Sequence, residues 1–451
     1  MGIAINNGRL IDPANNIDSK LNLLVENGKV AAISNKPFRA EQEIDATELI
    51  VAPGFVDIHI HEANIDKNTG NFETGTFESM LKMGVTTAIG GNCGFGALNP
   101  VEYLDKVDAD RIPINLGMLL PHNSLREAIN FTDKYKEVSP EQLNEMITIA
   151  NNWLAEGLVG VSFGLRYVPG ANTEEYYAVA DRAKQHNRLI TAHIRDDAAG
   201  VIDALNEFIS FGLDGKSKMQ VSHIGSMAAF GQMDQFLSAI DQYTYNGVDI
   251  SCDCYPYYAF CVAIGRTTYD EGFMERYNTG YESIEILEGE HKNKRCTPEL
   301  FAHLRKNDPD VLTSAHVMKS DEVDRALLHP NVMIASDGVL NNMQGHPRVS
   351  GTFPRAMNLL VNERKSLSPY EAVRKMTQMP AERLGINKGN LAVGKDADLV
   401  LFNLASIHDK ASFTNPTDEP VGIRYVLVNG QLALENNQII NPKAGQSVRT
   451  K

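Results

Sequence analysis

Several side chains in this sequence are of types that bind metals or move protons, and they fall at the ends of apolar runs. His59 and His61 stand two apart at the end of GFVDIHIH. Residues i and i+2 of an extended strand face the same side. Two imidazoles converging in this way suit zinc, although a lone His-x-His pair also occurs in cores and on surfaces. Three further polar residues finish apolar runs in the same manner. His193 ends LITAH, His223 ends MQVSH and Asp337 ends VMIASD. Burying five such groups without partners would cost several kcal/mol in total. A shared metal removes that cost, so the set reads as a metal site rather than as packing. A separate question is posed by GGNCGFG, which places Cys93 among glycines in a chain with five cysteines.

Side chains on separate runs meet only if strands bring their ends together. RLITAH, KMQVSH, VDISCD and NVMIASD are continuous apolar runs, as buried parallel strands are. Helical patterns separate them. In SPEQLNEMITIANNWLAEG, Ser139 is placed to cap a helix and Pro140 to sit in its first turn. This alternation predicts an α/β fold, a (β/α)₈ barrel over residues 53–386, with its active site at the C-terminal ends of the strands. Both chain ends, 1–52 and 387–451, read as short strands and predict a small β-sandwich subdomain. Asn7-Gly8, Asn27-Gly28 and Asn429-Gly430 are hairpin signals within them. Residues 262–325 break the rhythm and read as a lid-like insertion over the site. His122, in LLPHNSLR, also falls at a strand end and is placed to line the pocket.

Composition narrows the partners. The 451 residues carry 42 basic and 57 acidic groups, a formal net charge of −15. Such a surface repels phosphate backbones and anionic lipid, which argues against nucleic-acid or membrane binding. The odd, scattered cysteines do not form a disulfide framework. Without a leader pattern or an apolar run of membrane-spanning length, a cytoplasmic location is expected. The expected partner is a small-molecule substrate, and assembly into a homo-oligomer stays open.

PGFVDIHIH, TAHIR, VSHIG, ASDG and MPAERLGINKGNLAVGKDADLVLF together resemble the amidohydrolase superfamily of metal-dependent hydrolases, over nearly the whole chain. Many two-metal members bridge their metals with a carboxylated lysine at the end of the fourth strand. The corresponding run here, GLVGVSFGLRY, holds no lysine. Cys93 is the evident substitute, since a thiolate is a good zinc ligand and flanking glycines let the backbone approach the metal. GNCG, GLRYVPG, AHIRDD, DCYPY and SDG followed by HPR are similar to the D-aminoacylase branch, the N-acyl-D-amino-acid deacylases. That resemblance implies a tight zinc on Cys93, His193 and His223. It implies a second, weaker position faced by His59, His61 and Asp337, with Asp337 also the general acid/base. It implies that Arg348 holds the substrate α-carboxylate, with Tyr255 and Tyr167 as further substrate contacts. The reaction implied is hydrolysis of a linear amide to a carboxylate and a free D-amino acid. One departure stands out: the family motif Ser-His-His-Lys is SHIG here, so Gly225 replaces a lysine associated with acidic substrates. A neutral or differently shaped D-residue is at least as compatible. The alternatives are a cyclic-amide hydrolase of the dihydroorotase or hydantoinase kind, a superfamily deaminase, and a non-catalytic scaffold.

Overall fold

The computed structural model describes residues 2–450. Eight strands form the central sheet: β1 (Phe55–Asp57), β2 (Val85–Gly90), β3 (Asn115–Pro121), β4 (Gly160–Gly164), β5 (Leu189–His193), β6 (Lys218–Val221), β7 (Ile250–Cys254) and β8 (Val332–Ile334). They pair in chain order and every pairing is parallel. Residues 59–61, just past β1, meet those just past β8. Asp337 N donates to His59 O at 2.8 Å and His61 N donates to Gly338 O at 2.9 Å. The bonds that close the barrel therefore set three of the candidate site residues side by side. Val56, Ile89, Leu119, Leu189 and Met333, from five different strands, share one apolar cluster. Layers of branched side chains of this kind fill such barrels.

Helices surround the strands. In the helix Pro140–Ala155, Ser139 accepts from Gln142 N while the Gln142 side chain accepts from Ser139 N. This reciprocal cap satisfies two otherwise orphaned donors. Met146, Ala150 and Leu154 are buried at helical spacing.

Strands from both chain ends form a separate nine-stranded sheet with its own apolar core. The two ends join where Ile50–Pro53 pairs antiparallel with Leu399–Phe402. Asn27-Gly28 and Asn429-Gly430 make hairpin turns, each residue at positive φ. Asn7-Gly8 does not. It lies inside the single strand Gly2–Asp12, where the register shifts between Ile5 and Gly8. A bulge needs a residue tolerant of left-handed backbone as much as a turn does, and Asn7 supplies it at φ 68°. Between β7 and β8 the chain builds a three-stranded antiparallel sheet from Phe260–Ala263, Ile284–Ile286 and Leu312–Ala315. Among the described residues, no helix is long and apolar enough to cross a membrane.

Candidate metal centre

The loop after β2 carries Cys93 into the barrel mouth. Cys93 adopts φ 54°, between Gly91 and Gly94, both at φ 74°. A Cβ on Gly91 would lie 2.6 Å from Leu119 O, and one on Gly94 would lie 2.6 Å from Gly164 N. Only glycine fits at these two positions. The Asn92 side chain donates to Ile89 O at 2.9 Å and reaches Ile58 O and Ile60 O at 3.4 and 3.3 Å. The Glu62 carboxylate accepts from Gly91 N at 2.7 Å and from Ala97 N at 2.6 Å. Glu62 thus clamps the cysteine loop from both sides and stays out of the ligand cluster.

Around Cys93 the predicted residues converge. Its Sγ lies 3.1 Å from His223 Nε2 and 3.4 Å from His59 Nε2. His193 Nδ1 lies 3.0 Å from the same His223 nitrogen. On the other side, Asp337 Oδ1 is 3.2 Å from His61 Nε2 and 3.4 Å from His59 Nε2. Two overlapping sets of donor atoms result, His59–Cys93–His223 and His59–His61–Asp337, each within 4.8 Å. His193 stands beside the first set. His223 and Asp337, like Cys93, hold left-handed backbone, with φ 35° and 52°. Three strained non-glycine residues at one spot is the pattern of a functional site.

Electrostatics among the protein groups fit a cation at this place. Burial would raise the Cys93 thiol pKa, but His223 and His59 outweigh it and hold the thiol well below its usual range. Burial would lower His61, yet Asp337 and Cys93 raise it to about 9. His59 is raised well above its usual range despite burial, by Asp253, Cys93 and Asp337. Burial, with His223 beside it, lowers His193 to about 4. A thiolate, a carboxylate and imidazoles that exchange protons for a cation are a metal-ligand set.

A supporting layer orients these side chains. Asp253, on β7, was not singled out in the sequence. Its carboxylate accepts from His223 N and Gln220 Nε2, both at 2.8 Å, and lies 3.2 Å from His59 Nδ1. The Ser226 hydroxyl lies 2.9 Å from His223 Nδ1. Carboxylates and hydroxyls behind ligating histidines fix ring orientation and basicity. Asp57 accepts from Ser336 N at 3.0 Å, and burial raises its carboxyl to about 7.

Arg348 heads the helix Arg348–Ala356 and is 1 % exposed. Its Nη1 lies 2.9 Å from Asp337 Oδ2, and its guanidinium sits 4.8 Å above the Tyr255 ring. Tyr255 therefore lies behind Arg348, its hydroxyl 4.0 Å from Met318 Sδ. Tyr167 packs its ring 4.5 Å from that of His193 and lines the cavity that also holds His61, Cys93 and Arg348. Against burial, the nearby Arg348 and His59 hold the Asp337 carboxyl far below the usual range. His122 takes another role: it is buried 2.7 Å from Glu175, which Arg126 also grips at 2.8 Å. Cys252 and Cys254 are buried in β7 on either side of Asp253.

A barrel whose closing strands bear His-x-His and Asp, with a cysteine among the histidines, defines a metal-dependent hydrolase class, and comparison with known proteins names it. Amidohydrolase family models match residues 50–232 and 307–433. D-aminoacylase from Alcaligenes xylosoxydans xylosoxydans is 29% identical over 97% of this chain and 96% of its own. The N-acyl-D-glutamate deacylase of Bordetella bronchiseptica, solved with zinc and a phosphonate mimic of the tetrahedral intermediate, superposes with TM-score 0.88 at 29% identity, covering 99% of both chains. A D-aminoacylase structure described for its binuclear metal centre gives TM-score 0.88 at 25% identity, again over 99% of both chains. The chain belongs to the amidohydrolase family.

Proposed function

We propose that the chain is a zinc-dependent enzyme that hydrolyses N-acyl-D-amino acids to a carboxylate and a free D-amino acid. The observation that carries this reading is Cys93 set among His59, His193 and His223, with no lysine anywhere in β4. The full-length similarity to D-aminoacylase and to N-acyl-D-glutamate deacylase supports it. The lysine-free fourth strand removes the feature that would favour a cyclic-amide hydrolase.

Cys93, His193 and His223 would hold the tight zinc, and His59, His61 and Asp337 would face a second, weaker position. When bound, zinc lowers the pKa of water and polarises the acyl carbonyl. The remaining work falls to the chain's own side chains. Asp337 accepts a proton from the attacking water as the C–O bond forms. It returns that proton to the nitrogen as the C–N bond breaks, so that the amine leaves neutral. Arg348 would bind the α-carboxylate, for which a guanidinium fork is suited. Its present partner is Asp337. A substrate carboxylate that draws off part of the Arg348 charge weakens its hold on Asp337, which lets the Asp337 pKa rise towards that of a useful base. Binding and proton transfer are thus coupled through one arginine.

Two variants test the assignment. Cys93→Ala should lose zinc and turnover together. Asp337→Ala should lower kcat by a factor of ~10³ or more while retaining the tight zinc, given that general acid/base catalysis contributes about 10²–10⁴. Elemental analysis that finds undiminished zinc in Cys93→Ala would remove the cysteine from the site.

A further inference from the structure

The glycines of GGNCGFG do two different jobs. Gly91 and Gly94, at positive φ, allow the turn that carries Cys93 into the barrel mouth. Gly90 and Gly96 are not at positive φ and serve another purpose. A Cβ on Gly90 would lie 2.8 Å from Glu62 Oε2, and one on Gly96 would lie 2.8 Å from Glu62 Oε1. Side chains do not tolerate contacts that short. These two glycines leave room for one carboxylate, and the loop closes around it.

That carboxylate has work to do there. Its oxygens accept from Gly91 N at 2.7 Å and Ala97 N at 2.6 Å, amides that flank Cys93. Cys93 itself sits at φ 54°. A non-glycine residue keeps such backbone only where its surroundings enforce it. Hydroxyls assist: Ser162 donates to Gly91 O and accepts from Gly94 N, and Ser124 donates to Gly96 O at 3.0 Å. Glu62 differs from them in spanning both ends of the loop with charge-assisted hydrogen bonds, which are about twice as strong as neutral ones. Glu62 also follows His61 directly in the chain, and His61 N donates to Gly338 O at 2.9 Å where the barrel closes. One residue thus joins the loop of the first candidate ligand set to the strand end that bears the second.

Resting on the reading of Cys93 as a zinc ligand, we infer that Glu62 is a positioning residue for the metal centre: its two acceptor oxygens preset the cysteine loop, so that the thiolate is already presented when the metal binds. The need is for two acceptors and not for bulk. Glutamine has the size of glutamate but a single acceptor oxygen. Its amide nitrogen would set N–H against the N–H of Gly91 or Ala97, which frees one end of the loop. The left-handed turn then loses its enforcement, and the thiolate withdraws.

The test uses the full chain, stripped of metal and reloaded. Cobalt(II) is the spectroscopic probe, since a thiolate ligand gives it a charge-transfer band in the near ultraviolet. Zinc affinity is read by competition titration. Wild type should show the band and Cys93→Ala should lack it. Glu62→Gln should lose most of the band and bind zinc about 10–100-fold more weakly, the usual loss for a missing partner behind the ligands, with unaltered circular dichroism. Gly90→Ala reaches the same contact from the loop side with Glu62 intact, and should weaken zinc to a similar degree. The double variant Glu62→Ala/Gly90→Ala should be no weaker than Glu62→Ala alone, because both changes remove one contact. A wild-type band and affinity in Glu62→Gln overturns the inference, and so do losses that add in the double variant. A wild-type protein without the thiolate band instead overturns the assignment of Cys93 on which the inference rests.

Discussion

At the scale of single residues, the site depends on side chains that never touch substrate. Asp253 is the clearest. One of its oxygens accepts from His223 N and faces His59 Nδ1, and the other holds Gln220. It thereby reaches both overlapping ligand sets at once. Replacing it by asparagine keeps the volume but removes the charge behind two imidazoles of the candidate metal centre. Loss of such a partner costs about 10–100-fold in metal affinity. Asp253→Asn should show a loss of that size in zinc competition titrations, with unaltered circular dichroism. An affinity equal to wild type would reduce Asp253 to a packing residue. The sequence concealed this aspartate for a physical reason. In SCDC it sits between two thiols, and a strand wholly buried on both faces has no alternation to mark an inward-pointing carboxylate. The candidate ligands His59, His61, His193, His223 and Asp337 were legible as a set because each ends its apolar run, where a polar group demands a reason, and the fold does bring them together. Cys93 was legible only once the fourth strand proved to lack a lysine.

At the scale of elements, the loops at strand ends hold strained residues, and the helices outside hold the strands. Lys375, on the helix Pro369–Met376, is one such tie. Its ammonium donates to His329 O at 2.5 Å and Val332 O at 2.7 Å, which pins the helix to the start of β8. Burial lowers its pKa from 10.5 to about 7. Between these two values the folded chain binds fewer protons than the unfolded chain, so this group makes stability rise with pH. The cost of burying the charge is felt in full below about pH 7 and is gone above 10.5. Lys375→Met removes the titration. The stability of wild type minus that of the variant, from denaturant melts, should climb between pH 7 and pH 10. A difference that stays flat across that range contradicts the buried ammonium. Elements also show where sequence patterns mislead. Asn7-Gly8 carries a hairpin signature but makes a bulge, because the local need is for left-handed backbone and both structures meet it in the same way. Ser139 was readable as a cap since its partner Gln142 lies three residues on.

At the scale of the whole molecule, the candidate ligands come from the ends of β1, β2, β5, β6 and β8, so a metal held by them would join strands far apart in the chain. The barrel's last closure, His59 and His61 with Asp337 and Gly338, coincides with one ligand set. A ligand that binds only the folded state stabilises it by about 4 kcal/mol at a thousandfold excess over Kd. Chelation should therefore lower Tm by several degrees, and zinc should restore it. An unchanged Tm would mean that the cluster holds no tightly bound ion. The alternation of strands and helices foretold the barrel. The shape of the cavity beside the cluster was beyond the sequence, since it depends on how Val262, Arg266 and Leu312 of the insertion meet the barrel mouth. The most direct measurement of the central claim is amine release from matched N-acetyl D- and L-amino acids, alongside dihydroorotate and a hydantoin, by zinc-loaded protein. Turnover of the D-series alone, abolished by chelation and restored by zinc, is the predicted result. Turnover confined to the cyclic amides, or equal for both enantiomers, would contradict it.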